Sequence, residues 1–447
     1  MDSRFLAHNT HLENPAQFQD LDPHLRRLKN QIYIHHPQLL KELPKHLPGI
    51  YTLGGGRQIG KTTLLKQWML ALIQKNVLPE RIAFFSGELI DDHHALFYLL
   101  SQQLDAMPKD GLNYLLLDEV TYIRDWDKAI KYAADMGLLE HVILILTGSD
   151  LSLMNEARMR FPGRRGQASI VNFHLYPLSF RDVVQLKHPN ISAPDITCLF
   201  AEFQTYLIHG GYLTAINDYA RDRRISNATL TTYADWIRGD MQKRGKQEHY
   251  LKEIIGAIIK RSSSQVTWNA LAKDLSIDHP KTVADYMALL ESMDALFVQS
   301  ALLEDKLVGA PKKARKIFFT DPFIFHAMRA WLYPTNDAFS NQIQPFLTDS
   351  TQVAHLVELC AVMHYRRYFE TYYIKATGEV DIAYINNNRF WPVEIKWSNQ
   401  LREKDLKQIL KYNNGVILTK NASIGQLQHI PTQPLPLALW ELSSGRE

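Results

Sequence analysis

The chain has 447 residues, 46% of them hydrophobic and 22% charged, which is ordinary for a soluble globular protein of roughly two to four domains. Its 50 basic and 47 acidic residues give a formal net charge of +3, which argues against a protein that coats itself with nucleic acid and still allows a local basic face. The two cysteines exclude a disulfide scaffold or a cysteine-rich zinc site, and no apolar stretch is long enough for a membrane helix. We therefore expect a cytoplasmic protein with no membrane partner.

Five segments follow one another along the chain. Residues 1–47 are polar and interrupted by prolines, which predicts a helical lead-in. Residues 48–176 alternate short apolar runs with helical patterns, which predicts a parallel sheet covered on both faces. We expect a helical lid at 177–245, a winged-helix domain at 246–317 and a second α/β domain at 318–447.

The first of these domains contains a phosphate-binding motif. The match to G-x-x-x-x-G-K-[ST] begins at Gly55 and ends at Thr62, between a predicted strand (Ile50–Leu53) and a predicted helix (Leu64–Ile73). Backbone N–H groups of such a loop and the positive end of the helix favour a bound phosphate. We expect ATP to contact Gly55, Gly56, Arg57, Gln58, Ile59, Gly60, Lys61, Thr62 and Thr63.

Acidic and hydroxyl side chains follow the next apolar strands. Asp118 and Glu119 come directly after Leu115–Leu117, at the sheet edge where ligands bind. We expect Thr62 and Asp118 to hold Mg²⁺, Lys61 to reach the phosphates, and Glu119 to act as general base. Thr147 is the first candidate and Ser149 the second for a contact to the γ phosphate or the attacking water, and a simple turn is nearly as plausible for either residue.

Four arginines follow the strand Val142–Leu146. They are Arg158, Arg160, Arg164 and Arg165. An arginine donated to a neighbouring subunit would stabilise transition-state charge, which would require a homo-oligomer. Taken alone, each of these arginines is more simply interpreted as a solvated loop residue.

The segment 246–317 contains a helix–turn–helix pattern. Apolar side chains recur at Leu271, Leu275, Val283, Leu289 and Leu290, and the strand Leu296–Val298 follows. A second helix that opens with lysine, together with the run Lys312–Lys316, could contact DNA phosphates. A winged helix that serves only for packing or protein contacts is an equally good interpretation.

The last domain carries a second candidate site. Asp381 lies on one predicted strand, and Glu394 and Lys396 lie two residues apart on the next, so both point to one face. We expect Asp381 and Glu394 to hold Mg²⁺, Lys396 to act in catalysis, and Glu358 on a preceding helix to complete the site. This is the acid and acid-x-lysine pattern of restriction-type nucleases, a fold that also occurs in proteins that bind DNA without cutting it.

Several stretches of the sequence resemble a family of prokaryotic AAA+-type ATPases. The resemblance rests on GGRQIGKTTLL (55–65), LLLDEVTYIRDWDKAIK (115–131), LTGSDLSLM (146–154), PGRRG (162–166), LYPLSFRD (175–182), YLIHGGYLTAI (206–216), KIFFTDPFIF (316–325), GEVDIAY (378–384) and VEIKWS (393–398). It implies ATP binding, a helical lid with a winged helix, and a C-terminal restriction-endonuclease-like (PD-(D/E)XK) domain of unknown function.

Two functions remain open at this point. In the first, ATP binding and hydrolysis drive or gate an action on DNA, with a possible Mg²⁺-dependent nuclease. In the second, the protein is a nucleotide-controlled switch whose C-terminal domain binds DNA or protein without cutting. The complete Asp381, Glu394 and Lys396 set favours the first, and the nearly neutral charge favours the second.

Overall fold

The chain forms two compact units. The first comprises residues 1–176 and 292–294, and the second comprises 177–291 and the chain from 295 onward. The computed structural model describes residues 1–151, 154, 159, 161, 163, 166, 168–277, 279–398 and 406–443. Within these ranges no helix has the length and apolar character needed to cross a lipid bilayer.

The first unit is built on a parallel sheet. Its strands are β1 (Gly49–Gly54), β2 (Ile82–Ser86), β3 (Asn113–Asp118), β4 (Val142–Gly148) and β5 (Asn172–His174). They lie side by side in the order β2-β3-β4-β1-β5, and every pairing is parallel. The predicted apolar runs Ile50–Leu53, Leu115–Leu117 and Val142–Leu146 lie inside β1, β3 and β4, which confirms the predicted parallel α/β architecture.

Helices cover both faces of this sheet. They are α1 (Phe18–Leu21), α2 (Pro23–Lys29), α3 (Leu39–Glu42), α4 (Lys61–Gln74), α5 (His93–Ala106) and α6 (Trp126–Asp135), with 3₁₀ turns at Ser3–His8, Thr10–Leu12, Pro15–Gln17, Pro79–Arg81, Gly87–Leu89 and Val120–Tyr122. Successive strand side chains point to opposite faces, so Leu115 joins the core beneath α5 and α6 whereas Leu116 joins the core beneath α4. Apolar strands sandwiched in this way fix the strand ends where the predicted nucleotide residues lie.

The second unit begins with helices. They are α7 (Phe180–Lys187), α8 (Ile196–His209), α9 (Leu213–Asp222), α10 (Asn227–Lys243), α11 (Glu248–Lys260), α12 (Trp268–Asp274), α13 (Pro280–Ser292), α14 (Pro322–Leu332), α15 (Gln344–Thr348) and α16 (Ser350–Tyr368), with a π-helical turn at Phe339–Ile343. The predicted pair of helices after residue 246 corresponds to α12 and α13. Leu271, Val283 and Leu290 of the predicted small core are buried there.

Two small antiparallel pairs follow α13. Strand β6 (Leu296–Ser300) pairs with β9 (Arg315–Phe319), and β7 (Leu302–Leu303) pairs with β8 (Val308–Gly309). We refer to residues 248–319 as the helix–hairpin module. The predicted domain boundary at 317/318 falls inside β9, and the other predicted boundaries stay predictions.

A mixed sheet completes the second unit. Its strands are β10 (Glu370–Lys375), β11 (Glu379–Asn386), β12 (Arg389–Lys396), β13 (Val416–Thr419), β14 (Gly425–Leu427) and β15 (Ile430–Pro434), followed by α17 (Leu435–Glu441). The order is β10-β11-β12-β13-β15-β14, with β12, β13 and β15 mutually parallel. Residues 404 and 405 of the helix predicted at Lys404–Tyr412 lie outside the described residues, and the described part of it holds only a 3₁₀ turn, Ile409–Lys411.

Candidate nucleotide site and carboxylate cluster

The phosphate-binding motif forms the loop between β1 and the first turn of α4. Gly55 has a φ of 150°, and a Cβ at this position would lie 2.6 Å from the carbonyl oxygen of Leu175, so only glycine fits. Lys61, Thr62 and Thr63 are the first residues of α4. The loop therefore precedes a helix N-terminus, the context that its sequence predicts.

The Lys61 ammonium is buried and already has three oxygen partners. Its Nζ donates to the carbonyl oxygens of Gly55 (2.9 Å) and Gly56 (3.0 Å). It also lies 3.2 Å from Glu119 Oε1. An incoming phosphate would compete with these contacts for the same cation.

Hydroxyl groups surround the carboxylate of Asp118. The Thr62 hydroxyl donates to Asp118 Oδ2 (2.6 Å), and the Thr147 hydroxyl donates to Asp118 Oδ1 (2.5 Å). Burial raises the pKa of Asp118, while these two hydrogen bonds lower it and the neighbouring Glu119 raises it further. The sheet order explains the convergence, because β3 and β4 are neighbours and end at the same edge.

Glu119 is held at both its backbone and its side chain. Its N–H donates to Thr147 Oγ1 (2.9 Å), and Oε2 accepts hydrogen bonds from the Ser149 hydroxyl (3.1 Å) and N–H (3.2 Å). The backbone of Glu119 is in the left-handed region, with φ 53°. A non-glycine residue adopts this conformation at a cost of about 1–3 kcal/mol, which is typical of functional sites.

The structure adds one neighbour that the sequence analysis missed. Arg57 Nη2 donates to the Tyr122 hydroxyl (2.5 Å), and the guanidinium lies 5.6 Å from the centre of the Tyr122 ring. Tyr122 lies only four residues after Asp118 in the sequence, and this closeness was the signal that could have predicted a place near the loop. The four predicted arginines, Arg158, Arg160, Arg164 and Arg165, lie outside the described residues.

Comparisons with known proteins match two parts of this chain to family models. A family model described as an AAA domain matches residues 48–184. The phosphate-binding loop and strands β1 to β5 lie inside this range, and they have the fold of a P-loop ATPase domain. A second model, described as a domain of unknown function, matches residues 200–334.

Individual relatives are distant. An uncharacterized protein of Haemophilus influenzae is 24% identical over 283 residues, which are 61% of this chain and 67% of the relative. A Walker-type ATPase of Pyrococcus abyssi is 16% identical, with a TM-score of 0.41, and the match covers 65% of this chain and 93% of that one. RuvB of Thermotoga maritima is 17% identical, with a TM-score of 0.30, over 58% of this chain and 85% of that one.

The C-terminal candidate residues surround a lysine. Lys316 Nζ lies 2.7 Å from Glu358 Oε1 and 3.2 Å from Asp381 Oδ1, and it also pairs with Glu379. We call Glu358, Glu379 and Asp381 the carboxylate cluster. Lys316 is only 1% exposed, which corrects the expectation that it binds phosphates with Lys312 and Lys313.

Glu394 and Lys396 lie beside this cluster on β12. Lys396 Nζ is 2.5 Å from Glu394 Oε1, and Glu394 Oε2 is buried and has no hydrogen-bond partner among the described residues. Burial raises the pKa of Glu394 to about 8, and the charge of Asp381 adds to this effect. Asp381 Oδ2 accepts a hydrogen bond from the Ile395 N–H (2.9 Å), so both Asp381 oxygens are engaged.

Carboxylate oxygens are ligands that Mg²⁺ prefers. At this second site, however, Lys316 and Lys396 already contact them. Within the described ranges, no three His, Cys, Asp or Glu side chains are gathered as metal ligands. With Lys316 in place, the cluster does not fit a divalent cation between Glu358 and Asp381. The metal roles of Glu358, Asp381 and Glu394 and the catalytic role of Lys396 stay predictions.

Sequence reasoning missed Lys316 and Glu379 as members of this cluster. Glu379 lies two residues before Asp381 on β11, so strand periodicity was a signal for the same face. Lys316 had only a weak signal, because its contacts join segments more than forty residues apart.

Proposed function

We propose that this protein binds and hydrolyses ATP at the loop between β1 and α4. The observation that carries the proposal is the hydrogen bond between Thr62 and Asp118, which brings the motif threonine to the acid at the end of β3. These two residues are 56 positions apart in sequence, so the contact depends on the fold.

A hydroxyl and a carboxylate are hard oxygen donors, and Thr62 and Asp118 therefore fit Mg²⁺. When bound, this ion would neutralise charge on the phosphates. Side chains of the protein bind the phosphates and position the acids. Lys61 exchanges its carbonyl and Glu119 contacts for phosphate oxygens, and Thr147 keeps Asp118 and the Glu119 backbone in place.

Glu119 is the proposed general base. Its carboxylate accepts a proton from the attacking water once Lys61 turns to the phosphates and leaves Oε1 free. Ser149 holds the other oxygen of Glu119, which supports a positioning role for Ser149 rather than a phosphate contact. Thr147 likewise holds both acids, because its hydroxyl donates to Asp118 and accepts from the Glu119 N–H, and its contact to the γ phosphate stays a prediction.

Two substitutions separate binding from hydrolysis. Lys61→Ala should weaken ATP binding because it removes the cation that meets the phosphates. Glu119→Gln should bind ATP normally yet hydrolyse it about 10²–10⁴-fold more slowly, since only the base is lost. Fluorescent-nucleotide titration and phosphate release measure the two effects.

Exposed residues of the same types serve as controls. Lys75→Ala and Glu80→Gln change exposed side chains of the first unit and should leave both measurements unchanged. Equal turnover by the wild type and Glu119→Gln would show that another group activates the water.

We further propose that the second unit acts on DNA. The helix–hairpin module supports this function, because Lys281 at the start of α13 and Lys312 and Lys313 beside β9 are exposed. The alternative, a nucleotide-controlled switch with a non-cleaving C-terminal domain, is favoured by the lysine that fills the carboxylate cluster.

One assay distinguishes these functions. The purified protein is incubated with Mg²⁺ and plasmid or linear DNA, with and without ATP, while phosphate release and strand cleavage are followed together. ATP-dependent cleavage that Asp381→Ala abolishes would establish the nuclease. DNA-stimulated phosphate release without cleavage would establish the non-cleaving alternative.

A further inference from the structure

The two basic side chains of the phosphate-binding motif both contact the segment that follows β3. Lys61 Nζ lies 3.2 Å from Glu119 Oε1, and Arg57 Nη2 donates to the Tyr122 hydroxyl (2.5 Å). Glu119 and Tyr122 belong to one turn, because the Tyr122 N–H donates to the carbonyl oxygen of Glu119 (3.2 Å). Two separate cations therefore join the loop to the turn that carries the proposed general base.

The contact between Arg57 and Tyr122 is of a kind that a phosphate can displace. The Tyr122 side chain is a neutral acceptor and is 38% exposed, so water competes for both partners. A phosphate oxygen is charged, and a phosphate can accept two parallel N–H bonds from one guanidinium. A phosphate within reach of Arg57 would therefore replace the hydroxyl as its partner.

The proposed hydrolysis brings one particular phosphate to this place. Glu119 must lie beside the water that attacks the terminal phosphate, and Lys61 must contact the phosphate oxygens. Lys61 also binds the carbonyl oxygen of Gly56, the residue before Arg57 (3.0 Å). Arg57 thus follows the part of the loop that meets the phosphates, and its guanidinium is held at the turn that begins with the base.

We propose that Arg57 recognises the terminal phosphate of ATP and that Tyr122 holds the guanidinium when this phosphate is absent. The inference rests on the proposed ATP site and adds the residue that distinguishes a nucleoside triphosphate from a diphosphate. When the triphosphate binds, Arg57 leaves the Tyr122 hydroxyl, and the turn at Val120–Tyr122 loses this contact with the loop. The turn thereby responds to the third phosphate of the nucleotide.

Nucleotide affinities of a charge-removing variant test the role of Arg57. A non-hydrolysable ATP analogue and ADP are titrated with Mg²⁺ against the full chain as wild type, Arg57→Met and Arg124→Met. Arg57→Met should bind the triphosphate at least about tenfold more weakly, because a charge-assisted contact is lost, and should bind ADP within about twofold of wild type. Arg124 is a 77% exposed arginine after the same turn, so its variant is the matched control and should leave both affinities unchanged.

Removing one hydroxyl tests the role of Tyr122. Tyr122→Phe keeps the ring and deletes the competing acceptor, so triphosphate affinity should rise by roughly threefold while ADP affinity stays the same. In the Arg57→Met background the same substitution should have no effect, since the partner is already gone. Tyr98→Phe, which changes a 64% exposed tyrosine of α5, is the control.

The outcomes separate this proposal from the proposed ATP site. A wild type that binds neither nucleotide would refute the site itself, and Lys61→Ala should weaken binding of both nucleotides. If the wild type binds both, equal losses of triphosphate and ADP affinity in Arg57→Met, or no loss, would overturn the role of Arg57. An unchanged or lower triphosphate affinity in Tyr122→Phe would overturn the role of Tyr122. Retained ADP binding shows that each variant is folded.

Discussion

At the scale of single residues, each unit contains buried or half-buried acids whose two carboxylate oxygens both have partners. Asp118 lies between two hydroxyl donors, Asp381 between a lysine and a backbone N–H, and Asp321 between two backbone N–H groups. Each acid is fixed by partners from other segments of the chain. Substituting any of them therefore alters several elements at once.

Asp321 offers a test by pH. It is buried at the start of α14, where its oxygens accept hydrogen bonds from the Gly211 and Phe323 N–H groups (both 2.8 Å), and burial raises its pKa from 3.8 to about 7. The folded state therefore binds more protons than the unfolded state between these values. The free energy of unfolding should fall as pH rises from about 4 to about 7, by at most on the order of 4 kcal/mol, and the contribution stays lost above pH 7.

The variant Asp321→Asn isolates this contribution. Asparagine resembles the neutral acid at all pH values, so the difference in unfolding free energy between wild type and variant should change between pH 4 and 7 and stay constant above. Urea titrations at several pH values measure it. Burial lowers the pKa of His209, His326 and His364 and gives the opposite slope below pH 6.5, but these groups are common to both proteins and cancel in the difference. A constant difference across the whole range would contradict the ionisation of Asp321.

At the scale of elements, the turn between α8 and α9 depends on a glycine. Gly210 has a φ of 56°, and a Cβ there would lie 1.7 Å from Asp321 Oδ1. Gly210→Ala should lower the free energy of unfolding by at least about 2 kcal/mol, since it adds strain and displaces the buried acid. The matched control is Gly239→Ala within α10, where no described residue lies within 4 Å of an added Cβ and helix propensity should raise stability by up to about 1 kcal/mol. Similar effects of the two substitutions on the urea midpoint would refute the role of Gly210.

The exposed lysines of the helix–hairpin module give a second test at this scale. Lys281→Ala and Lys312→Ala should each weaken binding to duplex DNA and reduce the dependence of log affinity on log salt concentration by about one unit per lost phosphate contact. Fluorescence anisotropy over a salt series measures the slope. The control is Lys75→Ala, an exposed lysine of the first unit. Unchanged slopes in both module variants would favour a module that packs or binds protein instead of DNA.

The sequence predicts local elements well and long-range partners poorly. Apolar runs such as Leu115–Leu117 mark buried strands, and strands of one parallel sheet bring Asp118 to the edge that also holds the loop. Lys316 shows the limit. Its neighbours in sequence, Lys312 and Lys313, are exposed, and only the pairing of β9 with β6 turns Lys316 inward to acids on other elements. A run of basic residues in the sequence does not show which lysine is exposed and which one is buried.

At the scale of the whole molecule, two sites with similar acidic chemistry lie in separate units. Asp118 and Thr62 belong to the first unit, and the carboxylate cluster belongs to the second. Each site contains a buried lysine that already contacts carboxylates, Lys61 with Glu119 and Lys316 with Glu358. ATP hydrolysis at the first site and metal-dependent DNA cleavage at the second would therefore each require that a resident ion pair is first exchanged for an incoming ligand.

The remaining prediction concerns assembly. If an arginine after β4 acts on the nucleotide of a neighbouring chain, each proposed ATP site is complete only in an oligomer, and specific ATPase activity should rise with protein concentration. Arg164→Ala or Arg165→Ala should flatten this rise by removing the charge that stabilises the transition state, about 10³–10⁵-fold for arginine fingers, without abolishing ATP binding. Arg26→Ala, an exposed arginine of α2, is the control and should keep the wild-type dependence. Phosphate release at several protein concentrations, combined with sedimentation in the presence of ATP, measures both quantities, and a chain that remains monomeric at full activity would exclude a donated arginine.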